Sequence, residues 1–173
     1  MLTLESSRLV LRGPSTRDIP QMVEFYSEQE SHRNILRRQR DPETNERVLS
    51  LLIEHSDALM NVGYIAFAVE LKSTRELIGK INMENACVGK AAGIGWHFGV
   101  KYAGQGYATE AAAEVMKFGW NERHVGMIYA DCFEGNGACQ RIFEKLGMSP
   151  VSLLCIKKYF YPVKYREFRP IVR

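Results

Sequence analysis

The stretch Gly104-Gln105-Gly106-Tyr107-Ala108-Thr109-Glu110-Ala111 decides how this 173-residue chain is read. It follows a strand-like segment that ends near Val100 and opens into an Ala-rich helical pattern. Two glycines one residue apart let the backbone turn sharply with no Cβ in the way. Several N–H groups can then converge on one anion beside a helix N-terminus. The run reads as a diphosphate cradle for a nucleotide-like molecule, or as a tight turn into a helix that holds no ligand. Two other cradles do not fit. A P-loop needs Lys and Ser/Thr directly after its last glycine, whereas Gly99-x4-Gly104 is followed by Gln105 and Gly106. A dinucleotide fingerprint needs Gly or Ala three residues beyond the second glycine, where Thr109 stands.

Upstream of the cradle, Leu2 to Leu11 predicts a first strand that Pro14 and Ser15 break. A helix is expected from near Asp18, with Pro20 in its first turn and Ile19, Met22, Val23 and Tyr26 on one face. Asp41 is a natural N-cap for a second helix, Pro42 its first residue, and Glu43 and Glu46 suit the positive end of its dipole. Val48, Leu51, Leu52, His55 and Leu59 form a stripe that should pack on a sheet. Tyr64 to Leu71 and Glu76 to Glu84 read as strands joined by a polar turn, Lys72-Ser73-Thr74-Arg75. Gly93 to Val100 is the strand that feeds the cradle.

Downstream, Tyr107 to about Asn121 is helical, with Ala108, Ala111, Ala112, Val115 and Phe118 inward. Met127 to Phe133 is a strand, and Ala138 to Leu146 a last helix that Gly147 closes. Ser152 to Phe160 and Tyr165 to Val172 are expected to form a terminal strand pair. There is no repeat, low-complexity segment or linker, so one domain is expected. This α/β (α+β) order implies a mixed sheet with helices on both faces.

Composition narrows the class. The length suits one domain with a real core, and no apolar run approaches membrane-spanning length. The start alternates Leu2, Leu4 and Arg8 without a signal-peptide pattern, so a cytoplasmic address is expected. Cys87, Cys132, Cys139 and Cys155 are scattered, without Cys-x-x-Cys or paired His ligands, which argues against zinc and for reduced thiols. A net charge of +3 is too small to argue for nucleic acid. His32, Arg33, Arg37, Arg38 and Arg40 crowd one stretch, either a solvated basic face or a rim that attracts an acidic acceptor or phosphate-bearing partner.

Three motifs together carry a resemblance. Ala103-Gly104-Gln105-Gly106-Tyr107-Ala108 resembles the acetyl-CoA diphosphate loop Gln/Arg-x-x-Gly-x-Gly/Ala of the GCN5-related N-acetyltransferase (GNAT) superfamily, with Ala103 in place of Gln/Arg. Its longer form Gly-x-Gly-Tyr-Ala-Thr-Glu-Ala is similar to that of the ribosomal-protein N-terminal acetyltransferases (RimJ/RimL type). Leu4, Arg8-Leu9, Leu11-Arg12 and Asp18 resemble the opening signature of that subgroup. Asn136-Gly137-Ala138-Cys139 and Phe143-Glu144-Lys145-Leu146-Gly147-Met148 resemble its Asn-x-x-Ser and aromatic-Glu-Lys-Leu-Gly-Phe pattern. The resemblance spans the chain from about residue 2 to the C-terminal strands.

The resemblance implies a single N-acetyltransferase domain over residues 1–173, its mostly antiparallel sheet splayed at a cofactor cleft. It implies acetyl-CoA as cosubstrate, no metal, and an amine acceptor that attacks directly in a ternary complex. That acceptor is a small molecule or a protein N-terminus; neither membrane nor direct nucleic-acid contact is expected, and a homodimer is possible. Carried over by position, Phe98, Gly99 and Val100 would bond pantetheine and position the thioester carbonyl, and Gln105, Gly106, Tyr107, Ala108 and Thr109 would hold the diphosphate. Asn136 would meet pantetheine, although the same amide could simply cap the last helix.

Catalytic groups are less determined. Relatives place Ser at Cys139, or a Tyr acid where this chain has Phe143. A thiol near a helix N-terminus, lowered from about 8.5, could protonate the departing thiolate. Cys139 could equally be a small buried residue filling space. The base could be His97, alternating with Trp96 and Phe98, or Glu134 on the loop before Asn136. The glutamate that many relatives carry at position 93 is Gly93 here. The missing Tyr and Glu keep open a second function, a non-catalytic acyl-CoA-binding or sensing domain on the same scaffold.

Overall fold

The computed structural model describes residues 2–28, 41–132, 136–153 and 156–161, with side chains through residue 149. The basic stretch from His32 to Arg40, the candidate base Glu134, Cys155 and the expected strand from Tyr165 lie outside the described residues.

The expected first strand is two. β1 (Thr3–Glu5) and β2 (Leu9–Arg12) pair antiparallel. Ser6 closes the reversal, its N–H donating to the Leu9 carbonyl at 3.0 Å while its Oγ accepts from the Leu9 N–H at 3.1 Å. Alternation of Leu2 and Leu4 with Leu9 and Leu11 hid a turn built only of Ser and charged residues. α1 (Ile19–Ser27) follows with Pro20 in its first turn and buries Ile19, Met22, Phe25 and Tyr26.

α2 (Pro42–Glu54) begins where expected, Asp41 capping the Thr44 N–H at 2.9 Å. Its buried face is not the expected stripe. Asn45 and Leu49 are covered while Val48 and Leu51 are each 46% exposed, because α2 packs on α1. The helix also ends at His55, whose backbone (φ −103°, ψ 18°) leaves helical geometry before a short α3 (Ser56–Asn61), so Leu59 lies on a different helix from the rest of the stripe.

β3 (Ile65–Leu71) and β4 (Leu77–Glu84) form the expected hairpin, followed by β5 (Ala91–Phe98), α4 (Tyr107–Asn121), β6 (Met127–Cys132) and α5 (Gly137–Lys145). Gly147, at φ 73°, ends α5 in a Schellman arrangement: its N–H reaches Glu144 O at 3.0 Å and the Met148 N–H reaches Phe143 O at 2.9 Å. β7 (Ser149–Leu153) and β8 (Ile156–Tyr161) divide what the sequence suggests is one strand over 152–160. Leu153 of β7 pairs with Ile156 of β8, and the sequence Leu153-Leu154-Cys155-Ile156 carries no Gly, Asn or Pro to signal a break in the strand.

All eight strands share one sheet in the order β1-β2-β3-β4-β5-β6-β8-β7. Every pairing is antiparallel except β5 with β6, which pair in parallel over only Ala91–Gly93 and Met127–Tyr129. Past Gly93, β5 runs on to Phe98 and β6 to Cys132 without a partner in each other. The sheet is therefore split, as the resemblance implies. α4 covers one face, where Gly119 lets Met83 approach so closely that a Cβ would sit 2.7 Å from its methyl carbon. α1 covers the other, where the Lys80 ammonium lies 5.2 Å from the Tyr26 ring centre. Beneath the N-terminal hairpin the Arg12 guanidinium forks onto Asp18, with both contacts at 2.8 Å, and also bonds Glu70.

Candidate active site

The cradle grows out of the free end of β5. After Phe98 the chain makes a 3-10 turn over Val100–Tyr102 and then passes through Gly104 (φ 77°) and Gly106 (φ 82°), left-handed conformations that cost a residue with a Cβ about 1–2 kcal/mol. A Cβ on Gly104 would meet nothing within 4 Å, so the outer surface of the turn is open backbone. Gly106 is the N-cap of α4 and has no side chain to satisfy the first-turn N–H groups at Tyr107, Ala108 and Thr109. The Gln105 amide turns back to the Lys101 carbonyl at 3.2 Å.

A cation that sequence reading did not place in the site completes the turn. Arg8, from the β1–β2 reversal, reaches the Gln105 carbonyl with Nη1 at 3.2 Å and lies 4.5 Å over the Tyr107 ring. A Cβ on Gly106 would have Arg8 Nη2 as its neighbour at 3.5 Å. Converging amides, a helix N-terminus and a half-exposed guanidinium fit a diphosphate. Nothing local to either segment announces the pairing.

The three residues expected to meet pantetheine divide. The Gly99 N–H points into the sheet, donating to Ile78 O at 3.1 Å, and the Val100 N–H donates to Glu28 Oε2 at 2.8 Å. Backbone polar groups alternate sides along a strand, so with Gly99 facing β4 the N–H and C=O of Phe98 and Trp96 face the split. Phe98 thus presents its backbone groups to the split. Gly99 faces β4 instead, and Trp96 is the other residue whose backbone the register turns to the split.

A cleft of about 300 Å³ passes through the split. Trp96, Cys139 and Phe143 line the side of α5, with the rings of Trp96 and Phe143 5.5 Å apart. Tyr26, Lys80, Asn82, Glu84 and His97 line the side of α1. Two of the proposed chemical groups, Cys139 and His97, thus face one cavity from opposite sides of the sheet.

Their protonation differs from the sequence expectation. Burial pushes the Cys139 thiol up to about 12, and nearby Cys132 and Asp131 add to it against a hydrogen bond from Trp96. The expected lowering by the helix N-terminus loses to desolvation. The Cys139 N–H donates to Asn136 Oδ1 at 3.1 Å, so Asn136 caps α5. His97 is held below its ordinary value by burial, and a neighbouring Lys80 acts in the same direction. Its Nε2 lies 3.0 Å from the Phe25 carbonyl, which can only accept, so Nε2 carries the proton and Nδ1 is the basic nitrogen. The imidazole also stacks on Tyr26 at 4.5 Å. Among the described residues no group of His, Cys, Asp and Glu could hold a metal ion, and no helix is long and apolar enough to cross a membrane.

Known proteins share this architecture. An acetyltransferase of the GNAT family from Bacillus anthracis superposes with a TM-score of 0.77 at 23% identity, covering 96% of this chain and 100% of that one. RimJ of Mycobacterium smegmatis, solved in complex with CoA-disulfide, superposes at 0.72 with 16% identity, over 92% of this chain and 84% of that one. At those identities the likeness is one of fold. In sequence, the uncharacterized N-acetyltransferase YnaD of Bacillus subtilis (strain 168) is 31% identical over 111 residues, 59% of this chain and 65% of that protein. The match therefore spans a little under two thirds of that relative. The model of the acetyltransferase (GNAT) domain matches residues 8–149, from Arg8 beside the cradle to the first residue of β7, and the chain belongs to that family.

Proposed function

We propose that the protein moves an acetyl group from acetyl-CoA to a primary amine, of a small molecule or a protein N-terminus, by direct attack in a ternary complex. The observation that carries this reading is the split of β5 from β6 beyond Gly93. It leaves unpaired strand backbone beside a cradle at one end and opens into a polar cavity on the α1 side. A pantetheine chain extends the broken sheet through the Trp96 and Phe98 backbone, while Gln105 to Thr109 and Arg8 take the diphosphate. RimJ, solved in complex with CoA-disulfide, supports a CoA ligand for this fold.

The chain's own groups then divide the work. Backbone donors along the split hold the thioester carbonyl where negative charge develops. The acceptor enters from the α1 side and attacks the carbonyl carbon; the C–N bond forms as the C–S bond breaks. Cys139, with its thiol at about 12, is a weaker acid than the CoA thiol it faces, so it serves as a hydrogen-bond donor to the departing sulfur and water supplies the proton. The test is thiol release from acetyl-CoA over a panel of small amines and N-terminal peptides. Release dependent on an amine supports transfer; tight CoA binding with no release from any amine overturns it in favour of a binding domain.

A further inference from the structure

The carboxylate absent at position 93 has a neighbour that replaces it, and we propose that Glu84 on β4 accepts the proton of the attacking amine. This rests on the acetyltransfer reading. Glu84 is the antiparallel partner of Gly93, so the two residues share a face and stand side by side in the sheet. Opposed Cβ positions in such a pair are about 4.5–5.5 Å apart, within the length of one glutamate side chain. Glu84 thus offers a carboxylate from the strand beside residue 93, the position from which relatives project theirs.

Two glycines make this possible. Gly93 and Gly95 carry no side chain on the α1 face beside Glu84 and Asn82 in register, and the Tyr129 ring covers Gly93. Asn82 fills the space over Gly95, its Oδ1 3.5 Å from where a Cβ would be. From there its Nδ2 donates to Glu84 Oε1 at 3.2 Å, orienting the carboxylate along the strand. Glu84 lines the same cleft as Cys139 and Trp96. A side chain at 93 would be displaced by β6 instead: its Cβ would lie 3.1 Å from the Tyr129 ring.

The protons balance with one acceptor. The incoming ammonium passes a proton to Glu84 and becomes the nucleophilic amine. Attack forms the C–N bond and breaks the C–S bond. The second proton leaves nitrogen as the amide forms and the thiolate gains one through water. Glu84 returns its proton to solvent, and each turnover yields one amide, one thiol and one released proton.

Other titratable groups line the same cleft: Lys80 on β4, His97 on β5, Tyr26 on α1, Asp131 on β6 and Cys139 on α5, with Tyr129 of β6 beside it over Gly93. The experiment separates them. In the full-length protein, the pH profile of kcat/KM for an amine accepted by the wild type is compared with those of E84Q, E84D, H97Q and D131N. General-base catalysis is worth about 10²–10⁴-fold, so E84Q should lose about that factor and the acid limb of the profile. E84D should keep the limb at reduced rate, and the KM for acetyl-CoA should stay constant. An E84Q profile equal to wild type, or an acid limb that survives in E84Q and vanishes in H97Q or D131N, overturns the assignment to Glu84. A wild type that binds acetyl-CoA but releases no thiol with any amine overturns the underlying reading and this role together.

Discussion

Arg8 and Glu110 join the β1–β2 turn to the first turn of α4: Nη2 and Nε of the guanidinium stand 2.6 and 2.7 Å from Glu110 Oε2. The other oxygen accepts from Ser6 Oγ, Ser7 Oγ and the Arg8 N–H at 2.6, 3.0 and 2.9 Å. The carboxylate aims Arg8 rather than neutralising it at a distance, leaving Nη1 on the cradle carbonyl of Gln105. If Arg8 reaches the diphosphate, Arg8→Ala should raise the acetyl-CoA KM about tenfold, the loss of one charge-assisted bond of ~1.5 kcal/mol, with kcat nearly unchanged. Glu110→Gln should raise it less, because the cation remains. Initial-rate kinetics with acetyl-CoA varied test this, and an unchanged KM in Arg8→Ala removes Arg8 from the site.

Gly106 should tolerate no β-branched residue. Its φ of 82° strains any L side chain, and the position faces both Arg8 and the open cradle. Gly106→Val should abolish CoA binding by calorimetry and cost at least about 1–2 kcal/mol of stability from the left-handed backbone alone. A variant that keeps wild-type CoA affinity would move the diphosphate elsewhere.

Local chemistry made the glycine turn into α4, the Asp41 cap and the Gly147 stop legible in the sequence, because each is settled within a few residues. The β3–β4 hairpin was readable for the same reason, from the polar turn Lys72 to Arg75. What escaped depends on distant partners. Arg8 belongs to the cradle through Glu110, 102 residues away, and Glu84 faces Gly93 only once the register of two strands is known. The α2 stripe failed because a helix period gives spacing but not phase, and packing on α1 chose Asn45 and Leu49. The Cys139 expectation failed because burial, which no motif encodes, outweighs the helix terminus.

Two arginines of the opening signature should behave differently. Arg12 has a side chain 13% exposed between Asp18 and Glu70, at 4% and 6%. Removing it leaves two buried carboxylates with only the longer contacts of Arg17 and Arg75 and the Ser15 bonds to Asp18, so Arg12→Met should cost ~3 kcal/mol in urea unfolding. Arg8, at 47% exposed, should cost less than about 1 kcal/mol on removal. Equal losses for the two variants would contradict this division.

Acid should destabilise the fold in two steps. Burial holds His97 below its ordinary 6.5, so the unfolded chain binds more protons there; its contribution is full above 6.5 and is lost as pH falls through the folded value. Burial raises the Glu110 carboxyl, but hydrogen bonds from Ser6, Arg8 and Ser7 outweigh it and leave the group below its ordinary 4.5. That contribution is present above 4.5 and is lost on further acidification, together with that of Asp18, also held low through Arg12 and Ser15. Tm against pH should therefore decline below 6.5 and more steeply below 4.5. His97→Gln should flatten the first decline and Glu110→Gln should weaken the second; a variant curve that merely shifts downward in parallel would reject its assignment.

Cys139 should act without ionising. A thiol raised to about 12 remains protonated across the working pH range, so its use to the reaction is the hydrogen bond it donates. Cys139→Ser supplies a stronger donor at the same place and should keep kcat at or above wild type, whereas Cys139→Ala should lower kcat about tenfold at constant acetyl-CoA KM, as for a bond of ~1.5 kcal/mol made mainly in the transition state. Alkylation gives a readout independent of turnover. Thiolate, not thiol, reacts with iodoacetamide, so at pH 8 Cys139 should be modified far more slowly than a free cysteine of reference pKa about 8.5. Fast alkylation of Cys139, with an activity loss that follows it, would show that the helix terminus outweighs burial and would return the residue to the role of a proton-transferring acid.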